Sequence, residues 1–373
     1  MGYKILMALN GLDIGGAETH VTELSLELQR RGHRVLLASN GGSYVQELEA
    51  MGLRHFQVPM NSRSFEAMNT SRKRLRRIVE EERPDIVHAH ARIPGYLCGQ
   101  LQKKYHFPFV TTAHWVFHTN FVLNRVTNWG SYTLAVSEDI KTYLMKNYGI
   151  PDSRITVTVN GIDTRRFSPD ADGSAAAREL GLDPGRPILG TVSRLDPDRS
   201  LAAGQLIALA PRLAEAIPGL QLLIVGGGQD FAALSARAAE QNRAIGSACI
   251  HMTGPRTDIC RLNALCDVFV GVSRAALEAM SMEKPVILAG NEGYEGIFSP
   301  DGYEAAKASN FCCRSAPPTE EEVLFRDIAA LFQMEEAERR KLGAFGRSVV
   351  LKDYSVARMA DDCEAVYRLA MNR

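Results

Sequence analysis

The 373-residue chain has no net charge, no C-x-x-C pair, no G-x-G-x-x-G string and no apolar run of bilayer length. Each absence excludes something. With 43 Lys/Arg against 43 Asp/Glu there is no surplus of cations to hold a polyanion, which disfavours a nucleic-acid binder. Seven cysteines, an odd number, argue for a reducing compartment over a disulfide framework. The adjacent Cys312 and Cys313 read as strand residues, not metal ligands. A membrane span needs about 20 apolar residues. The opening run at residues 3–9 is shorter and leads straight into a folded pattern, so no signal peptide is expected. Gly2 is not followed by the Ser or Thr at position 6 that myristoylation needs. The expected location is cytoplasmic, with at most peripheral contact at the inner face of the plasma membrane. No internal period and no low-complexity tract appears.

What is present is a two-domain composition, 45% apolar and 23% charged. Charge is unevenly spread. Residues 1–167 hold 21 Lys/Arg against 15 Asp/Glu, and residues 168–373 hold 22 against 28. Short apolar runs alternate with amphipathic stretches, which predicts parallel strands joined by crossover helices. Expected strands are 4–9, 34–38, 54–58, 85–90, 109–113, 133–136 and 155–159 in the first half. In the second they are 188–192, 220–225, 249–252, 267–270 and 286–289, after a linker-like stretch at 168–174. The fold class is α/β, two Rossmann-like parallel-sheet domains facing across a cleft. The domains are 1–168 and 169–354.

The segment Val272-Ser273-Arg274-Ala275-Ala276-Leu277-Glu278-Ala279-Met280 is the most telling. A buried strand runs into a small-residue turn and a helix opens at Ser273. Unpaired helix N–H groups then point at the carboxyl edge of the sheet, where phosphates bind without a metal. Ser273 is expected to cap this helix and Arg274 to add a cation near the phosphate. Glu278 sits a turn deeper, within reach of a ribose hydroxyl. Gly15 and Gly16 precede the first helix and let backbone approach a ligand. Gly226, Gly227 and Gly228 form a second strand–glycine–helix junction, with Gly227 at its centre. Asp196-Pro197-Asp198 spells D-x-D, but a metal site needs further oxygen ligands, so these acids are read as shaping their loop.

Eleven short motifs in order and spacing make the chain resemble glycosyltransferase family 4, retaining enzymes of the two-domain GT-B fold. They include Gly15-Gly16-Ala17-Glu18, Pro84-Asp85-Ile86-Val87-His88, Thr112-Ala113-His114, Asn160-Gly161-Ile162-Asp163, Val192-Ser193-Arg194-Leu195 and Leu277-Glu278-Ala279-Met280. The resemblance implies that His114 contacts the donor sugar, and that Arg194 and Arg199 grip the diphosphate of a sugar nucleotide. Where the family carries a Lys, this chain has Arg199. The family places the nucleobase near Thr257. His88 and His90 are taken to lie on alternate faces of their strand end, both architectural, with His90 the possible exception. The last helix, 355–373, is expected to pack back on the first domain.

One departure stands out. The family commonly has Glu-x7-Glu; Glu278 matches the second acid, but position 270 is Val. The first acid ordinarily touches the transferred sugar, and Glu292, in the loop 290–296, is the candidate substitute. The implied activity is retaining transfer of a sugar from a nucleotide-sugar donor, UDP-linked, with no metal or other cofactor. The acceptor is a polysaccharide, glycolipid or lipid-linked glycan. The basic segment 71–78 and the apolar loop 115–123 would suit an anionic membrane. Two other readings follow from the missing acid and from the fold: a sugar-nucleotide-binding accessory subunit, and a nucleotide-sugar epimerase.

Overall fold

The computed structural model describes residues 2–13, 15–116 and 127–372. The chain divides into two compact units, Met1–Gly161 with Ser355–Arg373, and Ile162–Tyr354.

Unit 1 is built on seven strands: β1 (Lys4–Ala8), β2 (Arg34–Ser39), β3 (Arg54–Gln57), β4 (Ile86–Ala89), β5 (Phe109–Ala113), β6 (Tyr132–Ala135) and β7 (Ile155–Val157). Their spatial order is β3-β2-β1-β4-β5-β6-β7, with every pairing parallel. Both faces are covered. Ile5 and Met7 pack with Val21, Leu24 and Leu28 of the helix Gly16–Arg30, and with Val356, Met359 and Tyr367 of the last helix, Val356–Met371. The alternate residues Leu6 and Ala8 meet Leu75, Ile78 and Leu97 from the helices Phe65–Glu82 and Arg92–Tyr105. Burial on both sides makes these strands unbroken apolar runs, each fully buried Leu or Ile contributing about 1.5–3 kcal/mol. Ser355 caps the last helix by accepting the Arg358 N–H at 3.2 Å. Gly161 lets the chain pass where that helix begins; a Cβ there would lie 2.6 Å from Val356 Cα.

Unit 2 has six strands: β8 (Ile188–Val192), β9 (Gln221–Val225), β10 (Ile250–Met252), β11 (Val268–Gly271), β12 (Val286–Gly290) and β13 (Gly293–Ile297). The order is β10-β9-β8-β11-β12-β13. Five are parallel, but β13 runs antiparallel to β12, so the sheet is mixed. The segment 290–296, expected as a loop, is therefore the tip and edge strand of a hairpin. Two glycines and a charged residue hid this short strand from pattern reading. Cys312 and Cys313 are not strand residues. They follow a short helix, Tyr303–Ala308, in a turn where Asn310, Phe311 and Cys313 adopt φ of 54°, 59° and 59°. Left-handed backbone of that kind interrupts an extended ladder.

In both sheets the strand order reverses between two central neighbours, β1 and β4 in unit 1, β8 and β11 in unit 2. Ligands of open α/β sheets bind beyond the carboxyl ends of the strands at such switch points.

Candidate active site

At the unit 1 switch point, the loop after β1 ends in Gly15, the N-cap of the helix Gly16–Arg30. Its φ of −169° is extended backbone that any residue adopts. A Cβ on Gly16 would meet nothing within 4 Å, and one on Gly15 would meet only the flexible Glu18 carboxylate. Packing within the chain does not demand glycine at either place; what the pair leaves is open access to the first amides of the helix. Nearby, at the end of β1, the buried Asn10 Oδ1 has no hydrogen-bond partner among the described residues.

His90 and His114 each follow the last residue of their strand, β4 and β5. His90 Nδ1 and His114 Nε2 are 3.2 Å apart, and His20, one turn into the first helix, meets the His114 ring edge-on at 4.7 Å between centroids. His20 Nδ1 is 3.0 Å from Asn160 Oδ1. The expectation that His88 and His90 occupy alternate faces is wrong: side chains two apart along a strand share a face, and these rings lie 4.0 Å apart. Their roles still differ. His88 engages the Tyr367 hydroxyl at 2.8 Å and Thr112 Oγ1 at 2.7 Å, which makes it architectural. His90 joins His114 instead. Burial, reinforced by the neighbouring imidazoles, pushes His88 down to about 3 and holds His90 and His114 well below the ordinary histidine value. These three rings are therefore uncharged at neutral pH. His20 was missed in the sequence because a single polar residue in an amphipathic helix carries no signal of its own.

At the unit 2 switch point, Arg194 and Arg199 lie in the loop that follows β8. Their side chains are 70% and 52% exposed, paired with Asp196 at 3.3 Å and Asp198 at 3.4 Å respectively. Asp196 also accepts the Gln229 N–H at 2.9 Å, and the Arg199 N–H reaches the Asp196 carbonyl at 2.8 Å. Both acids of the D-P-D string are thus engaged by the loop and its arginines. Within the glycine triplet it is Gly226 and Gly228, not Gly227, that need to be glycine. Their φ values are 143° and 153°, and Cβ atoms there would fall 1.8 Å from the Ser193 carbonyl oxygen and 2.6 Å from Leu195 backbone. Gly227 contributes its carbonyl to the Leu195 N–H at 3.0 Å.

Ser273 opens the helix Ser273–Ser281, after β11, but does not cap it. The N-cap is Val272, without a side-chain bond; Ser273 has φ 54°, and its N–H donates to the Phe311 carbonyl at 2.6 Å. The turn at 309–313 has taken over the capping job. Arg274 reaches along the helix to Glu278, Nε to Oε1 2.8 Å, and the Glu278 side chain is only 11% exposed. Thr257 is exposed and its carbonyl accepts Arg166 Nη2 at 3.0 Å, while Arg256 beside it is clamped by Glu179 and Asp258. Glu292, at the β12–β13 hairpin tip, is exposed and pairs with Arg314 at 2.8 Å. Its neighbour Asn291 was overlooked. Asn291 accepts the Leu201 N–H and donates to the Pro197 carbonyl, both at 3.1 Å, tying the hairpin tip to the arginine loop.

The basic segment 71–78 belongs to the helix Phe65–Glu82, where Arg72, Lys73, Arg74, Arg76 and Arg77 are exposed and Phe65 is 85% exposed. Of the apolar loop, Trp115 and Val116 are exposed; the remainder, from 117 on, lies outside the described residues. No helix among the described residues is long and apolar enough to cross a membrane.

Comparison with known proteins agrees with this architecture. A sequence model described as Glycosyltransferase Family 4 matches residues 14–166, and one described as Glycosyl transferases group 1 matches 186–312. The alpha-maltose-1-phosphate synthase of Mycolicibacterium smegmatis is 26% identical over 95% of both chains. A crystallised glycosyltransferase from Rickettsia africae superposes with TM-score 0.77 at 21% identity, covering 100% of this chain and 99% of its own. HepE of Anabaena, crystallised with UDP-glucose, gives 0.70 at 17% identity, covering 98% and 100%.

Proposed function

Because the chain belongs to the family 4 glycosyltransferases, enzymes of the GT-B fold, we propose that its donor is a UDP-linked sugar transferred with retention to a polysaccharide, glycolipid or lipid-linked glycan. One observation carries the donor side. The loops after neighbouring strands β8 and β11 bring Arg194, Arg199 and the start of the Glu278 helix to the same edge of one sheet. Two guanidinium groups there neutralise a departing diphosphate, and charge fixed before the reaction lowers its barrier. Arg274 and Glu278 face the ribose, and Gly227 and Thr257 lie on the nucleobase side. With Val270 in place of the first family acid, Glu292 contacts the transferred sugar from the hairpin tip that Asn291 anchors.

In unit 1, Gly15 and Gly16 admit the acceptor or the sugar to the helix mouth, and neutral His114 donates a hydrogen bond without adding charge. That suits a transition state with oxocarbenium character. Retention then follows from attack on the face of departure, with the leaving phosphate taking the acceptor proton. The exposed cations of Phe65–Glu82, with Phe65 and Trp115, meet an anionic membrane that carries the acceptor.

The test is a thermal-shift panel of UDP-, GDP- and ADP-sugars, since a ligand that binds only the folded state raises Tm. UDP-sugars should stabilise selectively. Indifference to every sugar nucleotide would overturn the reading.

A further inference from the structure

We propose that His20, His90 and His114 form a binding site for a divalent transition-metal ion of the zinc class. The three residues come from different elements, the first helix and the ends of β4 and β5, so a convergence at the sheet edge is a tertiary feature. One nitrogen from each lies within 4.8 Å of the others. Zinc bound to imidazole at 2.0–2.1 Å in tetrahedral geometry needs its nitrogens about 3.4 Å apart. His90 Nδ1 and His114 Nε2 already stand at 3.2 Å. The third ring closes the remainder by side-chain rotation of roughly an ångström.

Groups behind His20 and His90 match what metal-bound histidines require. A ligating imidazole ordinarily gives its other N–H to a carbonyl or similar acceptor, which fixes the tautomer. Asn160 Oδ1 sits 3.0 Å from His20 Nδ1, which directs Nε2 to the ion. His90 turns Nε2 toward the Met7 thioether at 3.4 Å and keeps Nδ1 for the centre. His88, though adjacent, is excluded because Thr112 and Tyr367 occupy both of its nitrogens. Three neutral ligands leave a fourth position for water or an anionic oxygen. Sugar transfer does not need this ion. An ion on His114 removes that ring from the sugar, so occupancy switches transfer off; this consequence alone rests on the role given to His114 above.

The experiment is a cobalt(II) titration of the chelator-stripped full-length protein, without any sugar nucleotide, read by visible absorption. One equivalent should give the intense d–d bands of a tetrahedral site, and zinc should displace them. His90→Ala and His114→Ala should weaken binding by roughly ten-fold or more. His114→Cys should retain the ion and add a thiolate-to-cobalt charge-transfer band, which only a direct ligand produces, even if an alanine variant folds poorly. The proposal is overturned by a spectrum without tetrahedral bands, by binding unchanged in both alanine variants, or by a Cys variant lacking the new band. Since no donor is present, those outcomes leave the nucleotide assignment standing, and a failed nucleotide panel leaves the cobalt result standing.

Discussion

The Ser273 amide donates to the carbonyl of Phe311 at 2.6 Å, so the first N–H of the helix facing the proposed diphosphate is already committed within the chain. Phosphate affinity then rests more heavily on the arginine loop. Arg194→Ala should weaken UDP-sugar binding about 10- to 100-fold, the range for one charge-assisted contact of about 1.5–3 kcal/mol. Calorimetric titration of the variant checks this. Undiminished affinity would remove Arg194 from the site.

Just beyond that turn, backbone strain is stored at Ser315, exposed and held at φ 69°. Glycine adopts that conformation without a Cβ penalty. Ser315→Gly should raise unfolding stability by about 0.5–1 kcal/mol, measured by urea denaturation, with no change in metal or nucleotide binding.

Tyr367→Phe should destabilise the protein by about 1–3 kcal/mol, because the fully buried His88 Nδ1 loses its partner. Equilibrium unfolding monitors it. A neutral result would mean that water replaces the hydroxyl.

Glu295 sets a pH dependence in unit 2. Burial raises its pKa above 4.5, while the Ser309 hydroxyl pulls the other way. The folded state therefore holds this proton more tightly than the unfolded chain. The stabilisation is fully present below the unfolded pKa and is lost as pH rises through the folded one. Glu295→Gln, always neutral, should flatten that part of the stability–pH curve and gain stability relative to the parent near neutral pH. Parallel urea titrations at acid and neutral pH decide it.

Binding to anionic liposomes at low salt should fall when Arg72, Lys73 and Arg76 are changed together to Gln, by about 1 kcal/mol per cation lost near the surface. Co-sedimentation reads this. If the parent protein does not sediment with the vesicles, the peripheral-membrane part of the proposal fails.

The central strands were legible because β1, β4, β8 and β11 are buried on both faces, which leaves near-continuous apolar runs. β8 was read at its full range, and the ends of β1, β4 and β11 were misplaced by one residue. β13 was invisible: Gly293-Tyr294-Glu295-Gly296-Ile297 is short, glycine-interrupted and paired on one side only. The glycine loops could be found by their place between a strand and a helix, and Arg194 and Arg199 were singled out by the family resemblance. Asn291, His20 and the Phe311 carbonyl could not, since each acts through a partner remote in sequence. Misjudging His88 and His90 was an error of periodicity, and the repeat of two along a strand already gave the right answer.

Unit 2 is one continuous stretch of sequence, but unit 1 is assembled from two separated pieces. On the ribosome, strands β1 to β7 emerge early yet stay without Val356, Met359 and Tyr367 until everything between has been made. Unit 2 can complete its core while its neighbour waits with one sheet face covered only in part, by the helix Gly16–Arg30. A chain halted at Tyr354 would therefore display the part of that apolar face which the last helix covers, and such a nascent product is the form most in need of chaperone protection.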